Sequence, residues 1–277
     1  MLEILKTILI GIVEGITEWL PVSSTGHMIL LDEFIKLDVS PEFMEMFLMV
    51  IQLGAILAVP ILFFEKLNPF SRRKNEAEKK NTISLWLKVL VGVAPAAVFG
   101  LLLDDLCDKY LHNYVVVALA LIAYGVIFIV IEKLTSKNKK RVESVESLSY
   151  GDALKIGAFQ LLALVPGTSR SGSTIIGGLL TGVSRSASAE FSFFMAIPIM
   201  FGISGLKILK FIMGGFQASG LEIAILLTGM FVAFIVSYFA IKFLMDFVKR
   251  HDFKPFGIYR IILGIIVIGY FVIKSHI

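Results

Sequence analysis

Six stretches of the chain stay apolar for about the length a bilayer crossing needs: 43–64, 83–103, 113–132, 188–211, 221–246 and 256–274. A helix rises 1.5 Å per residue, so about 20 apolar residues cover a hydrocarbon core ~30 Å thick. The pattern predicts six spanning helices. Two further apolar segments are broken: residues 2–37 at Pro21, by a Ser/Thr/Gly cluster, and residues 152–182 at Pro166-Gly167. Each half is too short to cross. Irregular backbone at membrane depth survives only where protein or a water-lined cavity satisfies it, and paired short segments broken by Pro or Gly point to discontinuous helices around a polar site. The expected fold is an all-α integral membrane protein with about six transmembrane helices plus two re-entrant helical hairpins.

Loop charge orients this arrangement. Lys66, Arg72, Arg73, Lys74, Lys79 and Lys80 crowd 65–82; Lys137, Lys139, Lys140 and Arg141 crowd 134–150; Lys249, Arg250 and Lys254 lie in 247–255. Segments 38–45 (Asp38, Glu42, Glu45) and 104–109 (Asp104, Asp105, Asp108) are acidic. Placing the basic loops in the cytoplasm suits all six spans at once. The first hairpin then enters from outside, the second from the cytoplasm, and both termini lie outside. Oppositely inserted hairpins imply one polytopic domain, 1–277, built of inverted repeats at about 1–133 and 151–277 with a cytoplasmic linker at 134–150. Gly11-Ile-Val-Glu14 aligns with Gly157-Ala-Phe-Gln160 at an offset of 146 residues, and Pro21-Val-Ser-Ser24 with Pro166-Gly-Thr-Ser169 at 145.

Composition agrees. Hydrophobic residues make up 57% of the chain and charged residues 17%, where a soluble domain carries about 25% charge. The net charge of +4 is small and gathered in loops, which excludes a nucleic-acid stripe, and Cys107, the sole cysteine, rules out an intrachain disulfide or a cysteine-based metal site. The first twenty residues carry Glu14 and Glu18 and lack a small-residue cleavage site, so they read as mature protein rather than a signal peptide.

The chemistry concentrates in the breaks. Glu14 and Glu18 are four apart and share a helix face. An ionised carboxylate in hydrocarbon costs about 2.5–3.5 kcal/mol, so the pair requires a cation, a basic group or water. Pro21 ends that helix; Ser23, Ser24 and Thr25 supply caps for the next, with His27 one turn in. A helix start bearing free N–H groups and hydroxyls receives anions. In the second break, Thr168, Ser169, Ser171 and Thr174 surround Arg170, whose planar fork suits phosphate oxygens. Two carboxylates, a guanidinium, an imidazole and many hydroxyls read as phosphate or diphosphate chemistry with a divalent cation. Arg185 and Glu190 are expected as a structural ion pair or a support for the site. Gln160 reads as a packing hydrogen bond, Gln52 as packing, and His112, His251 and His276 as solvated.

The segment Glu14–His27 and the segment Pro166–Thr174 resemble the two signatures of the bacterial undecaprenyl-diphosphate phosphatase family of the bacitracin-resistance type, and 182–198 is also similar to that family. The resemblance implies hydrolysis of undecaprenyl diphosphate to undecaprenyl phosphate and inorganic phosphate, recycling a lipid carrier for cell-wall synthesis at the bacterial plasma membrane. It implies a Mg or Ca ion on Glu14 and Glu18, Ser24 as nucleophile, His27 as acid/base and Arg170 as phosphate ligand. Ser23, Thr25, Thr168, Ser169, Ser171 and Thr174 would line the diphosphate pocket, open to the extracytoplasmic side. Whether Ser24, His27 or water attacks is left open, as is the oligomeric state, a homodimer included. The alternative is a polyprenyl-phosphate transporter on the same scaffold, whose head-group site would need charge but no acid/base.

Overall fold

A computed structural model of the chain describes residues 1–111, 113–136, 139–214 and 218–275; Lys137, His112 and His276 lie outside them. Twelve α-helices occur among the described residues: α1 Leu2–Thr17, α2 Ser24–Phe34, α3 Pro41–Ile56, α4 Ala58–Leu62, α5 Phe64–Leu67, α6 Glu76–Leu111, α7 Tyr114–Thr135, α8 Tyr150–Gln160, α9 Arg170–Leu180, α10 Arg185–Met213, α11 Gly220–Arg250 and α12 Lys254–Ser275. Six stretches are long and apolar enough to cross a membrane: Pro41–Leu62, Glu76–Gly100, Tyr114–Thr135, Arg185–Phe211, Gly220–Arg250 and Lys254–Ser275. They coincide with the six expected spans. One boundary differs. The acidic stretch 104–109, expected as a loop, continues α6 to Leu111, because no Pro or Gly interrupts it.

Small residues set the packing. α1 lies on α11 with Gly11 against Gly229 and Gly15 against Ala233, α8 lies on α6, and α7 on α12 with Gly125 against Gly257. A methyl on Gly157 would come within 2.0 Å of the Gly92 carbonyl. Close backbone approach of this kind replaces the hydrophobic drive that helices lack in lipid.

The two breaks are built alike. Ser23 and Ser169 are the only non-glycine residues with positive φ among the described residues, both at 71°. Each is an N-cap whose hydroxyl accepts the N–H of the third residue of the following helix, Gly26 for α2 and Gly172 for α9. Such backbone costs on the order of 1–3 kcal/mol, which a cap worth about 1 kcal/mol and the surrounding packing must hold in place. The alignment offset at the break is therefore 146, one residue from the sequence register at Pro21.

One face carries the α1 N-terminus, the α2–α3 connection and the α12 C-terminus. Glu3 accepts the Asp38 N–H at 2.9 Å, and Glu33 holds Tyr270 and Lys274. The antiparallel pair α7/α12 links this face, where Tyr114 stacks on Phe271, to the opposite one, where the Phe253 N–H meets Glu132. On that opposite face Arg185 grips the buried Glu132 at 2.6 Å, and Lys66 pairs with Glu190 at 2.6 Å. Arg185 and Glu190 thus do not pair with each other; α10 turns them toward α7 and α5 respectively. Both are structural links outside the hairpin junction. His251 is exposed against Phe247.

Candidate active site

Glu18 sits at the C-cap of α1, in the turn that leads to Pro21, and both of its oxygens are occupied. Oε2 accepts the Ser24 hydroxyl at 3.0 Å. Oε1 accepts Nη2 of Arg170, the first residue of α9, at 2.9 Å. The second nitrogen of that guanidinium, Nη1, donates to the Ser192 carbonyl at 2.9 Å, and Thr174 donates to the Ser192 hydroxyl at 2.7 Å. The Arg170 guanidinium lies 5.8 Å from the Trp19 ring centroid. The two hairpins therefore meet, and α10 braces the junction through Ser192. Ser171 adds a bond from its hydroxyl to the Glu18 carbonyl at 3.3 Å, and Ser169 lies 3.1 Å from Ser171.

Glu14 lies one turn earlier and is 2% exposed. Its Oε1 has no hydrogen-bond partner among the described residues, while Gln52 of α3 presents its amide to the carboxyl group. Gln52, read from sequence as packing, thus borders the site. Gln160, which aligns with Glu14 in the sequence, is buried, and neither amide atom has a partner among the described residues; the expected packing hydrogen bond is not made among them.

The two ring nitrogens of His27 bond groups other than Ser24. Its Nδ1 donates to the Ser23 carbonyl at 2.8 Å, and its Nε2 lies 2.6 Å from the Tyr259 hydroxyl. A carboxylate, Glu18, takes the place beside Ser24 that the sequence reading gave to the imidazole. Next to Tyr259, the fully buried Arg260 donates to the Pro21 carbonyl at 3.2 Å and the Gly167 carbonyl at 2.7 Å. One guanidinium thus satisfies the backbone at both breaks. Tyr259, Arg260 and Ser192 were missed from sequence; an arginine inside an apolar span was the available signal.

Not every expected pocket residue faces this junction. Thr168 donates to the carbonyls of Leu162 and Val165, closing its own turn. Ser23 and Ser169 cap helices. Thr25 lines a groove of about 410 Å³ with Ile10, Met28, Leu48, Asp32 and Phe271, between α1, α2, α3 and α12. The junction offers a hydroxyl beside a carboxylate, a fixed guanidinium and two helix N-termini, and Thr25, next to Ser24 in the chain, lines the groove.

Residues 7–266 match the model of the bacitracin resistance protein BacA family. The chain belongs to that family. Its relatives include the undecaprenyl-diphosphatase of Acetivibrio thermocellus, 58% identical over 98% of both chains, and that of Desulfitobacterium hafniense, 58% identical over 98% of this chain and 97% of the relative. The undecaprenyl-diphosphatase of Enterococcus faecalis is 58% identical over 96% of each. The sequence leads to the expectation of a divalent cation on Glu14 and Glu18. Among the described residues no three His, Cys, Asp or Glu converge, so the protein alone does not supply the six to eight oxygens that Ca takes. Mg is commonly held by one or two carboxylates with phosphate and water completing the shell. The unpartnered Oε1 of Glu14 beside Glu18 fits that second arrangement.

Proposed function

We propose that this chain is a multi-pass membrane phosphatase that hydrolyses undecaprenyl diphosphate to undecaprenyl phosphate and inorganic phosphate, the activity its relatives are named for, and so recycles the lipid carrier for cell-wall synthesis. The observation that carries the reading is Glu18, held between the Ser24 hydroxyl and the Arg170 guanidinium of the other hairpin.

Ser24 is a weak nucleophile until a base takes its proton. Glu18 Oε2 is in hydrogen-bond reach of that proton. Ser24 Oγ attacks the terminal phosphorus, its proton passes to Glu18, the bridging P–O bond breaks and prenyl phosphate leaves. Water then attacks the phosphoserine: the Oγ–P bond breaks, Glu18 returns its proton to Ser24 Oγ, and the water's spare proton leaves with inorganic phosphate. Phosphoryl transfer is helped chiefly by positioning and by charge on the equatorial oxygens, and Arg170 with the N-termini of α2 and α9 supplies both. Glu14 and Glu18 would hold Mg, which when bound neutralises diphosphate charge. The groove at Thr25 seats the first part of the prenyl tail beside Ser24.

The face bearing both termini and the groove mouth is the extracytoplasmic one in this reading, because the opposite face carries the basic segments 65–82 and 139–141. The two broken segments are re-entrant, and the halves are inverted repeats, in keeping with the matched φ at Ser23 and Ser169. The test is phosphate release from undecaprenyl diphosphate by purified protein in detergent with Mg or Ca, against a chelator control. Release that the chelator abolishes supports the reading. Absence of release, with movement of prenyl phosphate between leaflets of vesicles, would replace it with the transporter reading.

A further inference from the structure

Both nitrogens of the His27 ring are engaged, and the identity of one partner fixes the other. The Ser23 carbonyl can only accept, so Nδ1 carries the hydrogen. In the neutral ring Nε2 is then a bare acceptor, and the donor aimed at it is the Tyr259 hydroxyl, 2.6 Å away. The two rings also lie nearly parallel, with centroids 5.6 Å apart and 9° between planes. The α12 backbone at Tyr259 is anchored through its neighbours. The next residue, Arg260, is locked onto Pro21 and Gly167, and Gly257 packs against the Gly125 carbonyl of α7. The hairpin breaks thus set the position of α12, and α12 sets the imidazole.

We propose that Tyr259 is a positioning residue for the reaction: by donating to His27 Nε2 it fixes the Nδ1–H tautomer and holds the ring off Ser24, leaving the Ser24 proton to Glu18. This rests on the proposed phosphatase reading. Without the hydroxyl, the imidazole is free to rotate about its link to Ser23 and to compete for Ser24, and misplacement of about 1 Å at a reacting group costs up to ~100-fold in rate.

Tyr259→Phe removes the hydroxyl and keeps the ring stack, so the fold is retained. The expected result is a kcat about tenfold lower at unchanged KM, with less than a twofold further effect when the same change is made in His27→Ala. A purely structural role would add its full cost in both backgrounds. Wild-type kcat in Tyr259→Phe, a change in KM alone, or an undiminished tenfold loss in the His27→Ala background would overturn the proposal. A second readout needs no activity. In histidine-labelled protein, with the His27 signal assigned by His27→Ala, the ¹⁵N spectrum should show an Nδ1–H tautomer whose Nε2 resonance shifts in Tyr259→Phe. An unchanged spectrum would overturn the positioning claim even if the phosphatase reading stood. A shifted spectrum with no phosphate release from wild type would leave the pair intact and sink only the phosphatase reading.

Discussion

Glu18 and Arg170 stand 152 residues apart in the chain and 2.9 Å apart in space. That bond joins the tip of one broken helix pair to the tip of the other, and the pair is still 10–14% exposed. The guanidinium is therefore oriented by protein while remaining partly exposed. It binds Glu18 through Nη2 and Ser192 through Nη1, a geometry that needs a planar fork. Arg170→Lys should consequently fail to rescue: phosphate release should fall by about 100-fold, close to Arg170→Ala and within the range seen when a transition-state donor is lost. Near-normal turnover with lysine would show that a point charge suffices.

Ser24 and Glu18 act as a unit in this mechanism, so their losses should not add. Ser24→Ala, Glu18→Gln and the double variant should all lose about 10³-fold or more in kcat, with the double no worse than the more impaired single. Steady-state kinetics on the three proteins measures this. Substantial turnover in Ser24→Ala would point instead to direct attack by water.

Arg260 bonds the buried carbonyls freed at Pro21 and Gly167, where the helices break. Arg260→Met keeps the bulk but orphans two buried acceptors, each costing about 1–3 kcal/mol. Relief of the buried charge offsets part of this. The net expectation is a loss of about 2 kcal/mol, read as a melting temperature lower by roughly 5 °C in detergent. An unchanged melting temperature would show that other groups satisfy the breaks.

Near the linker, burial pushes the Asp152 carboxyl up, but hydrogen bonds from Arg141 and Ser149 outweigh it and hold the group below the ordinary carboxylate range. A lowered folded value means stability that is present above the unfolded value of about 3.9 and lost as pH falls through the folded one. Arg141 is half exposed, so its pair with Asp152 contributes no more than about 1 kcal/mol. Arg141→Ala should melt slightly below wild type at pH 7, and the two curves should converge below about pH 4.

The spans were legible because an apolar run of twenty residues has one comfortable solvent, and the breaks because Pro21 and Pro166 cannot continue a helix. The junction was legible only in its ingredients. Nothing in residue spacing tells Ser24 to choose Glu18 over His27; the choice comes from tertiary contacts, Glu18 accepting from Ser24 while the His27 ring bonds the Ser23 carbonyl and Tyr259 of α12. Tyr259 and Arg260 were hidden because they lie inside a stretch whose mean hydropathy reads as plain span. Arg185 and Glu190 were five apart in sequence, yet α10 sends them to different neighbours, a choice made by tertiary packing alone.

The central claim is that two hairpins complete one phosphatase site through Glu18 and Arg170. The most direct measurement is the rate of inorganic phosphate release from undecaprenyl diphosphate by purified wild type and Arg170→Ala, at matched thermal stability and with Mg present. The account predicts release by wild type and a loss of about 100-fold or more in the variant. No release from wild type, or equal rates from the two proteins, would contradict it.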